Sequence, residues 1–121
     1  MKYSRFIIIF ALVAVVLAIP SNAQKQLLQA SGKVTMIRVH EVGTGYGAAP
    51  DLIDAEVIIK LNSEPNKSFG FQLRNDKNLA AHQGMLDLLR DAFNNNWTTT
   101  IDYDISPRRN NGLIIRVWLT K

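Results

Sequence analysis

The hydrophobic pattern of this chain changes period twice, and that order limits the folds open to it. In residues 55–61, Ala55, Val57, Ile59 and Leu61 point one way, while Glu56, Ile58 and Lys60 point the other. That is the period of a half-buried strand. Residues 67–74 repeat it, with Phe69, Phe71 and Leu73 inward and Ser68, Gly70, Gln72 and Arg74 outward. The period then lengthens. Leu79, His82, Leu86, Leu89 and Phe93 recur at helical spacing, and Met85, Leu88 and Ala92 widen the stripe. Alternation returns at 97–105, with Trp97, Thr99, Ile101, Tyr103 and Ile105 on the face opposite Thr98, Thr100, Asp102 and Asp104. It returns again at 113–119, with Leu113, Ile115, Val117 and Leu119 inward and Ile114, Arg116 and Trp118 outward.

A further strand is expected at 33–42, opened by Gly32. Its apolar residues Val34, Met36, Ile37, Val39 and Val42 do not share a face. Either both faces are partly covered or a bulge shifts the phase. Asn75, Asp76 or Asn78 is placed to cap the helix, and the run Asn94, Asn95, Asn96 to end it. Gly84 inside the helix suggests a close backbone approach, and Asn111-Gly112 suggests a hairpin turn. The element order is therefore β-β-β-α-β-β. A mainly β chain with one helix between its third and fourth strands matches the OB-fold, a five-stranded, partly open barrel. The alternative is an open antiparallel sheet with the helix packed across it.

The first residues follow the export pattern. Lys2 and Arg5 precede an unbroken apolar run from Phe6 to Ile19, then Pro20 and the small-residue sequence Ser21-Asn22-Ala23. The run is shorter than the ~20 residues of a spanning helix. Residues 1–23 read as a cleaved signal peptide, 24–31 as a flexible leader and 32–121 as the folded domain. The expected destination is extracellular, or periplasmic in a bacterium, with no membrane span after cleavage. The whole chain carries net charge +4; without Lys2 and Arg5, 12 basic residues face 10 acidic ones, a net of +2. Such balance argues against a nucleic-acid binder, which concentrates basic charge. With no cysteine, thiol catalysis, zinc-thiolate sites and iron–sulfur clusters are excluded.

In an OB-fold the loops after strands one and four flank the usual binding face. Here these are 43–54 and 106–112. The first sets Tyr46 among Gly43, Gly45 and Gly47; the second presents Arg108, Arg109, Asn110 and Asn111. Tyr46 is suited either to stacking on a ligand or to folding back and anchoring its loop. Arg108 and Arg109 form either a grip for a carboxylate, such as that of a sialic acid, or a solvated hairpin. Ile58 and Trp118, both outward, would together make an apolar patch for a subunit interface, unless the leader or helix covers them. Trp97 is expected in the core.

Other constellations read as ordinary surface. His40 and Glu41 are adjacent in a strand and point to opposite faces. Asp102 and Asp104 share a wet face, but calcium needs six to eight oxygen ligands. Asn66-Lys67-Ser68 and Asn96-Trp97-Thr98 fit the glycosylation pattern and matter only in a eukaryotic host. No nucleophile elbow, phosphate-binding loop or zinc-protease motif is present. No cofactor, metal or catalytic residue is assigned.

The segments Gly32-Lys33-Val34-Thr35, Phe69-Gly70-Phe71-Gln72-Leu73, Met85-Leu86-Asp87-Leu88-Leu89 and Thr99-Thr100-Ile101-Asp102-Tyr103, in this order, resemble small exported OB-fold proteins. These are similar to the B subunits of pentameric A–B toxins, nearest to the subtilase-cytotoxin and pertussis-like group. The chain departs from that pattern in lacking the disulfide many such subunits carry. The resemblance implies a homo-oligomeric, glycan- or cell-surface-binding subunit with a possible enzymatic partner chain. The reading from another class is a small exported enzyme or enzyme inhibitor.

Overall fold

A computed structural model describes residues 26–121. The signal-peptide reading of 1–23 lies outside the described residues. Among those described, no helix is long and apolar enough to cross a membrane. The elements are β1 (Leu28–Val39), β2 (Val57–Leu61), β3 (Ser68–Phe71), α1 (Leu79–Asn95), β4 (Thr98–Asp104) and β5 (Asn111–Leu119). The strands close into a barrel in the order β1-β2-β3-β5-β4. The β3–β5 pair is parallel and the other pairs are antiparallel. This is an OB-fold-like barrel; closure rules out the open-sheet alternative.

Closure rests on β1, which serves two neighbours. Its residues 28–33 pair with β4, and 34–39 pair with β2. A bulge at Thr35, where Val34 pairs with Leu61 and Met36 with Lys60, lies at the changeover. One extra residue bends the strand and shifts its phase, which accounts for the broken alternation. The strand also begins earlier than expected. Leu28 to Ser31 are ladder residues opposite Tyr103 to Thr100, not flexible leader.

The interior holds Val34, Val57, Ile59, Leu61, Phe69, Phe71, Ile101, Tyr103 and Ile114 from the strands. The helix closes it with Met85, Leu89 and Ala92. Burial, reinforced by Glu64, pushes the Tyr103 phenol above its ordinary pKa. Asp76 Oδ1 accepts the Asn78 N–H at 2.8 Å just before the helix. Asn96, in the left-handed region at φ 56°, ends it. No heavy atom of another element lies within 4 Å of a Cβ built on Gly84, so that glycine serves no close approach.

Three departures from simple alternation have physical causes. First, Ile58 and Gly70, expected on a wet face, are buried. The 43–54 loop folds over the outside of β2 and β3. There Ile53, Ala55 and Ile58 form a second small core with Met36 and Tyr46. A Cβ on Gly70 would stand 2.7 Å from the Val57 carbonyl oxygen and 3.0 Å from the Ala55 Cβ, so this layer admits only glycine. Second, Trp97 is 44 % exposed rather than core. The left-handed turn at Asn96 lies between it and the helix, and β4 starts only at Thr98.

Third, β5 changes phase. Asp102 pairs with Arg116 and Tyr103 with Ile114, so Ile115 is the extra residue of a bulge. Ile114 is thereby buried with Val117 and Leu119 packed against the core, while Leu113 and Ile115 lie outside. The Asn111-Gly112 pair is not a hairpin turn either; Asn111 begins β5, and the left-handed residue of the connection is Arg108 at φ 65°. The β5 phase makes a direct prediction. Ile114→Ala lowers the unfolding free energy by about 3 kcal/mol and Ile115→Ala by less than about 1, measured by urea denaturation. Equal losses would contradict the bulge.

Candidate functional site

The two loops singled out from sequence meet. Positive φ angles at Gly43, Gly45 and Gly47 (89°, 67° and 91°) fold the first loop back on itself. Tyr46 and Ile53 then exchange backbone hydrogen bonds of 3.0 and 2.9 Å. That bridge brings Ile53 down onto Ile58 and sets the Tyr46 ring at the barrel wall. The Arg38 guanidinium lies 5.6 Å from the ring centre, a cation–π distance. The Ser68 hydroxyl donates to the Tyr46 hydroxyl at 3.4 Å.

Asn111 and Asp51 join the two loops. The Asn111 side chain accepts the Ser68 N–H at 3.2 Å and donates to the Asp51 carbonyl at 3.0 Å. The Asp51 carboxylate accepts the Asn110 N–H at 2.9 Å and the Asn110 side-chain amide at 3.3 Å. A Cβ on Gly47 would stand 2.8 Å from Asn111 Nδ2, so the loop closes this tightly only with glycine there.

The result is an open cleft of about 510 Å³, lined by Tyr46, Gly47, Ala48, Ala49, Asp51, Lys60, Asn66, Ser68, Asn110 and Asn111. One wall carries an aromatic ring; the others carry amides, a hydroxyl and an ammonium group. Tyr46 therefore folds back and anchors its loop, and it also lines the cleft. Lys60 has no carboxylate within ion-pair distance among the described residues. The Asp51 carboxylate is engaged by Asn110. The cleft thus offers both donors and acceptors, and its lining carries one positive side chain, Lys60, and one negative, Asp51.

Arg108 and Arg109 do not line this cleft. Both are exposed, and Arg109 borders a separate hollow with Leu52, Asp104 and Leu113. The expected pairing of Ile58 with Trp118 is not formed either: Ile58 is fully buried under the first loop, while Trp118 is half-buried opposite Thr100 on β4. Asp102 accepts from the Gln29 amide at 3.2 Å and pairs with Arg116 at 3.4 Å. His40 Nδ1 lies 3.1 Å from the Gly45 carbonyl, which can only accept, so this nitrogen carries the proton. Its Nε2 is buried without a partner among the described residues, and Glu41 stays exposed.

Sequence reasoning missed Lys60, Asn66, Ser68 and Asp51 as cleft residues. Lys60 and Ser68 sit on strand faces that alternation marks as outward; only the strand register brings them beside Asn111. It also missed an ion-pair network behind the first loop. Glu56 is 2 % exposed, yet Arg74 grips both its oxygens at 2.6 and 2.9 Å and reaches Asp54 at 2.6 Å. Glu56 also accepts the Leu73 N–H at 3.2 Å. Hydrogen bonds to Glu56 first, then Asp54, hold the Arg74 guanidinium well above its ordinary pKa. A buried carboxylate persists only when paired and hydrogen-bonded in this way. The network ties the end of the loop to the exit of β3.

No protein-family model, curated protein or solved structure matches the chain.

Proposed function

We propose that this chain is an exported, non-enzymatic binding module that holds a glycan in the cleft between its two loops. The lining of the cleft carries this reading. A tyrosine ring offers an apolar face with a polar tip. Around it, Asn66 and Lys60 present hydrogen-bonding groups from a turn and a strand, while the buried Ser68 hydroxyl holds the Tyr46 hydroxyl. A sugar ring has the complementary surface: an apolar C–H face and a rim of hydroxyls. The stitched loops keep the site formed before binding, which reduces the ordering cost. Lys60, with no ion pair among the described residues, offers its ammonium group to the acid group of a glycan, while the Asp51 carboxylate in the same lining accepts from hydroxyls.

The test is a glycan array, followed by titration calorimetry on the glycans retained. Lys60→Gln is expected to weaken an acidic glycan about tenfold through loss of a charge-assisted hydrogen bond of ~1.5 kcal/mol. Its neutral counterpart should be unaffected. Asn66→Ala should weaken both. An array without binding, or binding indifferent to both substitutions, would remove this assignment.

A further inference from the structure

The molecule has a second surface of different chemistry beside the cleft. Leu52, Leu113 and Ile115 are 51, 37 and 49 % exposed. Leu113 stands between two hollows and borders both. One is about 270 Å³ and is also lined by Leu52, Asp54, Asp104 and Arg109. The other is about 170 Å³ and is also lined by Phe71, Gln72, His82 and Ile115. The bulge at Ile115 creates this face, because it commits Ile114 to the core and leaves Leu113 and Ile115 outside.

We propose that this face is where a second copy of the chain docks across a two-fold axis, each copy setting its aliphatic side chains into the other's hollows. Shape and charge both lead to that occupant. Each hollow is smaller than the roughly 300 Å³ at which small-molecule sites begin, but takes one leucine or isoleucine side chain. Projecting side chains and hollows lie on the same patch, as a two-fold interface requires. The rim carries both signs of charge. Arg109 is exposed and has no ion pair among the described residues, and the Asp54 side chain, 65 % exposed although one of its oxygens pairs with Arg74 at 2.6 Å, lines the same hollow. A two-fold axis beside this hollow would set Arg109 of one copy against the exposed side of Asp54 of the other. Asn111 lines both this hollow and the cleft, so the interface would abut the cleft wall.

The experiment is light scattering after size-exclusion chromatography on the exported full chain, with circular dichroism as the folding control. The expected result is twice the monomer mass. Leu113→Glu should weaken association at least thirtyfold, roughly the loss of a central contact residue. Arg109→Glu should weaken it about tenfold and reduce its salt dependence. Val42→Glu, at another exposed position, should leave it unchanged. Ile115→Glu repeats the test should Leu113→Glu not fold. A monomer at ~1 mM, or any assembly, a ring included, whose mass survives both Leu113→Glu and Ile115→Glu, would overturn the proposal.

Discussion

Phe69→Ala is expected to lower the unfolding free energy by about 4 kcal/mol, read from urea denaturation at unchanged slope. Phe69 is fully buried and meets the Tyr103 ring edge-on with centroids 4.7 Å apart, an arrangement that adds to its area burial. It sits mid-barrel, paired with Ile59 on one side and Gly112 on the other. Those neighbours are held by their own ladders, so the cavity cannot collapse. Domains of this size have roughly 5–15 kcal/mol in total, so the variant should unfold in mild denaturant. Phe93→Ala is the contrast: the ring is 47 % exposed, and the loss should stay below about 1 kcal/mol. A Phe69→Ala loss as small as that of Phe93→Ala would mean that the barrel is not packed around this ring.

Asn111→Asp is expected to unlatch the two loops. The acceptor role toward the Ser68 N–H survives the change, but the donor role toward the Asp51 carbonyl does not. In its place a carboxylate oxygen would face a carbonyl oxygen about 3.0 Å away, close to the Asp51 carboxylate. An unmade hydrogen bond at a half-buried position costs roughly 1–3 kcal/mol, and the like charges add to it. The readout is amide hydrogen exchange. Protection should fall at residues 46–53 and 106–112, while the helix and the centre of β4 keep theirs. Retained glycans should also be lost, because the substitution removes the wall rather than a contact. Asn110→Ala, at an exposed position, should produce a weaker form of the same change. Unaltered exchange in both loops would show that Asn111 does not hold them together.

These two residues differ in how visible they are in the sequence. Phe69 declares itself, because Phe69, Phe71 and Leu73 alternate with small and polar residues and one face must be apolar. Asn111 reads locally as half of an Asn-Gly turn, and its real role depends on Ser68 and Asp51, 43 and 60 residues away. Tyr46 lies between these cases. Its setting among three glycines marks the loop as unusual, but alternation says nothing of its neighbours. The arginines show the reverse relation between composition and placement. Arg108 and Arg109 have a composition suited to gripping an anion, yet the left-handed backbone at Arg108 and the path of the loop leave them outside the cleft. Lys60, unremarkable in its strand, supplies the positive charge there.

Local periodicity by itself determined the element order, the inward residues of β4, the centre of the helical stripe of α1 at Met85, Leu89 and Ala92 (though not Phe93, which is exposed) and, through that order, the barrel class. It could do so because alternation and the helical repeat are properties of neighbouring residues. Tertiary structure alone decided which outward faces stay wet, since a loop can cover a strand from a distance and turn Ile58 and Gly70 into interior residues. It also decided the phase of β5, because the extra residue at Ile115 is set by pairing with β4. The cleft belongs to the same class: its walls come from two loops, a turn and two strands that meet only when the barrel closes.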